Sequence, residues 1–332
     1  MRIFLAGDHY SGTGPANVTK YYIENLPEGT LYQKRRGKIA RVPEIILNTI
    51  RADVVVYSGY SKQNILGLKA AKILKKPSAY IMHGCVEHEN GINLEPDEEM
   101  NRIERKTLEL ADLVIAVSAG FGEWLKDHYP MYADKIDHVT NGIDSALLSN
   151  SKKREDRERH MIFSIGGGMP RKKIKYICEA VEKLRKEYDD KLYLCVIGDK
   201  GADSEEIDSY DHVDNRGIVP FDEGVRLFDE AALFVQNSCF ETFGLAPVEA
   251  LSCGCPILCS GAVGALEVIG NIRDEDVIRR YDDPEEIAAK IRYLLENPNA
   301  ERLSAGFDWE NHSWKTVSTA LVSKLSKLVS EK

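Results

Sequence analysis

The sequence predicts an α/β protein built from two parallel-sheet domains, and three observations carry that prediction. Short apolar runs alternate with amphipathic, helix-length segments along most of the chain. The alternation breaks once, at the almost wholly polar stretch SNSKKREDRERH (residues 149–160), and then restarts. At 332 residues the chain is long for one hydrophobic core and suited to two. The expected division is a sheet domain at 1–148, a polar linker at 149–160, a second sheet domain at 161–308 and a closing helix at 309–332.

In the first half, Arg2 to Gly7 reads as a strand, and the loop from Gly7 to Pro15 brings backbone close to a ligand at Gly12 and Gly14. The spacing G-x-G-x-x-G of a dinucleotide site fails, because Asn17 stands where the third glycine belongs. A helix follows to about Leu26. Lys34, Arg35, Arg36, Lys38 and Arg41 form a basic cluster before a helix expected at Pro43 to Ile50. Next come a strand at Val54 to Tyr57 and a helix at Gln63 to Leu74 that carries Lys69 and Lys72, with Lys75 and Lys76 just beyond it. Such a basic face suits either solvent or an anionic lipid headgroup. Ala79 to His83 is a strand that delivers His83 to the ligand edge of the sheet, where an imidazole can donate a hydrogen bond or hold a proton near neutral pH. Glu87, His88 and Glu89 read as a loop facing the cleft, with no further residue spaced to complete a metal site. A helix at Asp97 to Leu110, a strand at Leu113 to Val117, a helix to Tyr129 and a short strand at Ile136 to Thr140 complete this half, and Asn141 to Asp144 make a turn.

The second half opens with the strand Met161 to Ile165, followed by Gly166-Gly167-Gly168-Met169-Pro170-Arg171-Lys172-Lys173 and a helix to about Tyr188. Three glycines are expected to expose amides, and Arg171 and Lys172 place positive charge at a helix start. That charge opposes the helix dipole, which an anion would relieve. Leu192 to Ile197 is a strand and Phe221 to Glu230 a helix. Ala231 to Val235 is a buried strand leading into SCFETFGLAPVEALSCGCPILCSGAVG, residues 238–264. There Glu241 falls in the loop before a helix and Glu249 about two turns inside it. Carboxylates in that position suit ligand hydroxyls, while solvent-facing helix charge is the plainer alternative. Asp274, Glu275 and Asp276 read as surface. Val317, Leu321, Leu325 and Val329 give the last helix one apolar stripe.

Composition narrows the function classes. Hydrophobic content of 43% and charged content of 29% are those of a globular protein, and a net charge of -9 argues against a nucleic-acid partner. The charge is uneven: 18 basic against 19 acidic residues through Asn150, then 26 against 34 beyond it. Seven cysteines lack metal-ligand spacing, and Cys195, Cys253, Cys255 and Cys259 lie in or near apolar segments as reduced thiols do. No apolar run approaches the roughly 20 residues of a membrane span, and no signal peptide is expected ahead of Arg2 to Ala6. A cytoplasmic protein is the expectation.

Taken together, these residues resemble the retaining nucleotide-sugar glycosyltransferases of the GT-B fold, the family 4, group 1 type that builds bacterial polysaccharides and glycolipids. The resemblance rests on Glu241, Phe243, Gly244, Leu245, Glu249, Ala250, Gly254 and Pro256, then on Gly261, Gly264 and Glu267, the Asn141–Asp144 turn and Val117-Ser118. It implies two Rossmann-like domains facing across a cleft, the first on the acceptor side and the second binding the donor, with the closing helix packing back on the first. It implies Glu241 beside the donor sugar, Glu249 on the ribose hydroxyls and His83 near the phosphates. Gly12, Gly14, Gly167, Gly168, Phe243, Gly244 and Leu245 would line the donor, and Lys172 with Arg171 would hold its phosphates. One departure stands out: the family's first arginine position falls on Gly167 and its last glycine on Lys173, so either Arg171 or Lys173 makes up for the missing cation or donor affinity is weaker.

No Asp-x-Asp pair is well placed to hold a metal ion, so transfer without a metal or other cofactor is expected. The substrates would be a nucleotide-diphosphate sugar, with UDP the commoner choice, and a glycan or polyprenyl- or lipid-linked acceptor. Peripheral association with the cytoplasmic membrane face would follow from such an acceptor. A nucleotide-sugar epimerase or hydrolase of the same fold, a phosphorylase, and a non-catalytic sugar-nucleotide binding protein are the alternatives.

Overall fold

A computed structural model describes residues 1–144 and 157–332, which form two compact units. Residues 149–156 of the expected linker lie outside the described residues. Of its remaining residues, Arg157 is buried and Glu158 already opens a strand.

The first unit holds β1 (Ile3–Gly7), α1 (Gly14–Asn25), β2 (Leu31–Tyr32), α2 (Lys38–Arg51), β3 (Val54–Ser58), α3 (Lys62–Ile73) and β4 (Ser78–Met82). The chain continues with α4 (Val86–Asn93), whose residues from Glu89 on belong to the second unit, and then α5 (Glu98–Leu110), β5 (Leu113–Ala116), α6 (Ala119–His128) and β6 (Ile136–His138). Its six strands are ordered β2-β1-β3-β4-β5-β6, and every pairing is parallel. Parallel strands covered by helices on both faces need apolar residues in succession, not in alternation. Val54-Val55-Val56-Tyr57 meets that demand, with each side chain at most 1% exposed.

The second unit holds β7 (Glu158–Ile165), α7 (Ile174–Glu187), β8 (Tyr193–Ile197), α8 (Ser204–Asp208), β9 (Val213–Asn215), α9 (Phe221–Glu230) and β10 (Ala231–Gln236). It ends with α10 (Ala246–Ser252), β11 (Ile257–Ser260), β12 (Val277–Ile278), α11 (Pro284–Glu296) and α12 (Ala300–Ala305). The order β12-β11-β10-β7-β8-β9 is again all parallel. Ile174, Ile177, Cys178, Val181 and Leu184 recur at helical spacing on α7 and bury against Ile162, Leu194 and Val235 of the sheet.

The last helix, α13 (Trp314–Ser330), packs with the first unit: Trp314 stacks on Tyr21 of α1 at 4.9 Å between ring centroids and meets Tyr22 edge-on. A Cβ at Gly142 would fall 2.7 Å from the Trp314 ring, so this glycine makes room for the indole.

Several elements differ from their sequence expectation. The strands β2, β9 and β12 are two or three residues long, too short to leave a pattern. Helix α2 begins at Lys38, ahead of Pro43, so Lys38 and Arg41 of the basic cluster are helical. Glu87, His88 and Glu89 lie in α4 rather than in a loop. Asp276 is not surface: it is 1% exposed and accepts hydrogen bonds from Arg302 and Asn299, which compensate its buried charge.

Candidate active site

Open parallel sheets present ligands at the carboxyl ends of their strands. In the second unit β7, β8, β10 and β11 deliver loops to that edge. The β10 loop is tied to the β11 loop: Glu241 bridges Val263, and Gly264 N–H donates to Glu241 O at 3.0 Å and Ala265 N–H to Phe243 O at 2.7 Å. Gly244 has φ +81°, and a Cβ there would fall 2.9 Å from Glu241 Cγ, so glycine lets the chain turn back over the glutamate. Phe243 is buried and anchors the loop, while Gly244 and Leu245 are half-buried.

The β7 loop corrects one expectation. The amides of Gly166 and Gly167 both donate to Ile197 O, at 2.8 and 3.0 Å, and Gly168 N–H donates to Asp199 O at 2.9 Å. These glycines therefore knit two loops together instead of exposing amides to an anion. Gly167 has φ +54°, and its Cβ would fall 2.0 Å from Asp199 O, so the backbone contact excludes any side chain at the position where the family carries arginine. After them, Pro170–Lys172 form a single 3-10 turn, and Lys173 in left-handed conformation (φ 52°) precedes α7.

That turn brings Lys172 and Arg171 to Glu241. Lys172 Nζ donates to Glu241 Oε2, and Arg171 lies 3.5 Å from the same oxygen. Arg171 also lies 3.5 Å from Glu89, and its amide donates to Asn93 Oδ1 at 3.2 Å. Lys173 stands apart, 5.8 Å above the Tyr281 ring, so Arg171 is the second cation of the cluster. The Arg171, Lys172 and Glu241 side chains are each at most 15% exposed. Burial alone would raise the Glu241 pKa, but Lys172 and Arg171 beside it hold the carboxyl below its usual range. The cluster is electrically balanced, two cations against Glu241 and Glu89, and it sits where ligands of parallel sheets bind.

Glu249 lies in the first turn of α10, not two turns in, and is half-buried. Burial, with Asp144 nearby, pushes its pKa up to about 7. It therefore changes charge near neutrality.

In the first unit, Gly12 (φ +75°) lies in the loop between β1 and α1, and Gly14 is the first residue of α1. His83 follows β4, and its Nε2 lies 2.8 Å from Ser58 Oγ, which in turn lies 2.6 Å from Thr19 Oγ1. Burial lowers the His83 pKa to about 4, so the imidazole is neutral at physiological pH and carries a single ring proton. Among the described residues no three His, Cys, Asp or Glu side chains are grouped to hold a metal ion, and no helix is long and apolar enough to cross a membrane.

Sequence reasoning faced Glu89 to the cleft without joining it to Arg171, and it missed Asn93, Gln236 and Ser238, all of which touch this cluster. Only Gln236 left a signal, as a polar residue ending an apolar strand.

Comparison with known proteins agrees with this geometry. Residues 3–147 match the family model described as Glycosyltransferase Family 4, and residues 148–305 match that of Glycosyl transferases group 1. The chain is 28% identical over 168 residues to the O-antigen chain mannosyltransferase B of Escherichia coli, covering 46% of this chain and 43% of that protein. It is 24% identical over 287 residues to the MMP alpha-(1->4)-mannosyltransferase of Mycolicibacterium hassiacum, covering 82% of this chain and 64% of that one. The matches thus span less than two thirds of these relatives' lengths. The crystal structure of Anabaena HepE in complex with UDP and glucose superimposes with a TM-score of 0.73 at 15% identity, covering 98% of this chain and 99% of that one, and so shares the fold. The two adjoining family matches, together spanning residues 3–305, and this GT-B architecture place the chain in the group 1/family 4 glycosyltransferases.

Proposed function

We propose that this protein transfers a sugar, with retention of anomeric configuration and without a metal ion, from a nucleoside-diphosphate sugar to a hydroxyl of a glycan or lipid-linked acceptor. The observation that carries the proposal is the Lys172–Arg171–Glu241 cluster: two buried cations beside a carboxylate at the ligand edge of the sheet. Departure of a nucleoside diphosphate develops negative charge on its terminal phosphate. Lys172 and Arg171 supply positive charge that needs no solvent reorganisation, which is the service a metal ion renders elsewhere. Glu241 accepts hydrogen bonds from the donor sugar, and Glu249 from the ribose hydroxyls. Neutral His83 acts as a hydrogen-bond partner rather than as an acid.

In the transfer, the bond from the anomeric carbon to the phosphate oxygen breaks, and the bond to the acceptor oxygen forms on the same face. The acceptor proton passes to the leaving phosphate. UDP is the favoured nucleotide, in line with the UDP held by the HepE crystal structure. A lipid-linked acceptor, and with it residence at the membrane surface, is supported by Lys34, Arg35, Arg36, Lys38 and Arg41. Lys34, Arg35, Arg36 and Lys38 are exposed, although Glu44 accepts from the Lys34 and Arg35 amides and, with Asp8, acts on half-buried Arg41; exposed Ile39, Leu47 and Ile50 lie on the same helix as Lys38.

The test is turnover of UDP-, GDP- and ADP-sugars in EDTA by the native protein and by K172A and E241Q. One nucleotide sugar should be consumed, with the product anomer matching the donor by NMR, and both variants should lose at least about a hundredfold in kcat/KM. Failure of the native protein to bind or turn over any nucleotide sugar would sink the proposal.

A further inference from the structure

Gln236 ends β10 and is 3% exposed. Its Nε2 donates to Glu241 Oε2 at 2.8 Å and lies 3.4 Å from Ser238 Oγ. A carboxylate can only accept, so the amide must point its nitrogen at Glu241. The consequence is that Gln236 Oε1 is buried with no hydrogen-bond partner among the described residues. A buried acceptor left unpaired destabilises the fold, and an apolar side chain ending an apolar strand would avoid that cost. The amide is therefore retained for what its nitrogen does.

Among the described residues, the polar partners of the Glu241 carboxylate all fall on one oxygen. Lys172, Gln236, Ser238 and Arg171 converge on Oε2, while Oε1 has no such partner among the described residues. The carboxylate is held by one oxygen and presents the other. Two of the four partners are cations that a diphosphate would attract. Once Lys172 and Arg171 turn to a phosphate, Gln236 and Ser238 are the groups left on Oε2. Of these, Ser238 is at 3.5 Å and Gln236 at 2.8 Å.

We propose that Gln236 is a positioning residue for the transfer reaction: it keeps the Glu241 carboxylate fixed, with Oε1 toward the donor sugar, while Lys172 and Arg171 exchange Glu241 for the donor phosphates. The proposal rests on the glycosyltransferase reading of this site. Its neighbour Asn237 points the other way and donates to Lys173 O at 3.2 Å and Tyr281 O at 2.7 Å, so the end of β10 also anchors the loop that carries the cations.

The experiment compares Q236M, which keeps shape and removes the donor, and Q236E, which places a carboxylate against Oε2. Three quantities are read: melting temperature, Kd for the nucleoside diphosphate alone, and kcat and KM for the sugar donor. Q236M should melt at or above the native temperature, because the unpaired acceptor is gone. It should bind the nucleoside diphosphate within about threefold of native and lose about 10- to 100-fold in kcat, the range of one hydrogen bond to a charged group. Q236E should lose more. Native kcat in Q236M refutes the proposal. So does a kcat loss matched by equal losses in nucleotide affinity and melting temperature, which would mark a structural role. If the native protein neither binds nor turns over a nucleotide sugar, the underlying reading fails and the proposal falls with it.

Discussion

Restoring the family's arginine at Gly167 should damage this protein. The backbone at 167 is left-handed, φ +54°, which costs a residue with a Cβ about 1–2 kcal/mol. The Cβ would also fall 2.0 Å from Asp199 O, so one loop must move. That movement breaks some of the bonds that Gly166, Gly167 and Gly168 N–H make to Ile197 O and Asp199 O. Losing two or three of these at about 1 kcal/mol each brings G167R to roughly 3–5 kcal/mol of destabilisation. For a domain of this size that is a fall in melting temperature of about 10 °C. G167A should show most of the loss, because the Cβ alone makes the clash. Differential scanning calorimetry of both variants, with nucleotide titrations alongside, measures this. A G167R protein that melts with the native protein and binds nucleotide more tightly would refute the reasoning, and would mean that the missing cation was a defect which Arg171 does not make good.

Other consequences follow from the same structure. With a Glu249 pKa of about 7, donor affinity should rise about tenfold from pH 6 to pH 8 if the ionised form accepts the ribose hydroxyls, and E249Q should flatten the profile in isothermal titration calorimetry. The stability linked to the protonated Glu249 carboxyl is present below its unfolded value of 4.5 and is lost as pH rises to about 7, so the unfolding free energy of E249Q should fall less across that window. Buried Arg157 donates to Phe228 O, Ala231 O and Cys253 O at the ends of α9 and α10; R157M should cost about 3–5 kcal/mol in urea unfolding, and a loss under 1 kcal/mol would contradict that role. Reversing Lys34, Arg35 and Arg36 to Glu should abolish binding to vesicles rich in phosphatidylglycerol while leaving hydrolysis of a soluble donor intact; unchanged vesicle binding would remove the basis for a membrane-facing surface.

The site was only partly legible before folding. Glu241, Lys172 and Arg171 could be singled out because each lies just past an apolar strand, and strand ends of parallel sheets converge. Their pairing could not, because Lys172 and Glu241 are 69 positions apart and meet only when β7 and β10 lie side by side. The glycine run misled for a related reason. Its composition suits an anion loop or a close contact between loops equally, and the choice rests on Ile197 and Asp199 arriving from β8. Glu89 could be placed facing the cleft but not paired, and Gln236 had no assignable role, until Arg171 and Glu241 stood next to them.

By itself the amino-acid sequence determined the two parallel sheets, since buried strands must be apolar on both faces and Val54-Val55-Val56 or Leu233-Phe234-Val235 has few other uses. It also determined which turns carry glycine and which strand ends carry charge. The tertiary structure alone decided the protonation of His83 and Glu249, the burial of Asp276 and Arg157, and the single oxygen through which Glu241 is held. These depend on desolvation and on partners distant along the chain, and both come into being only when the two sheets are covered.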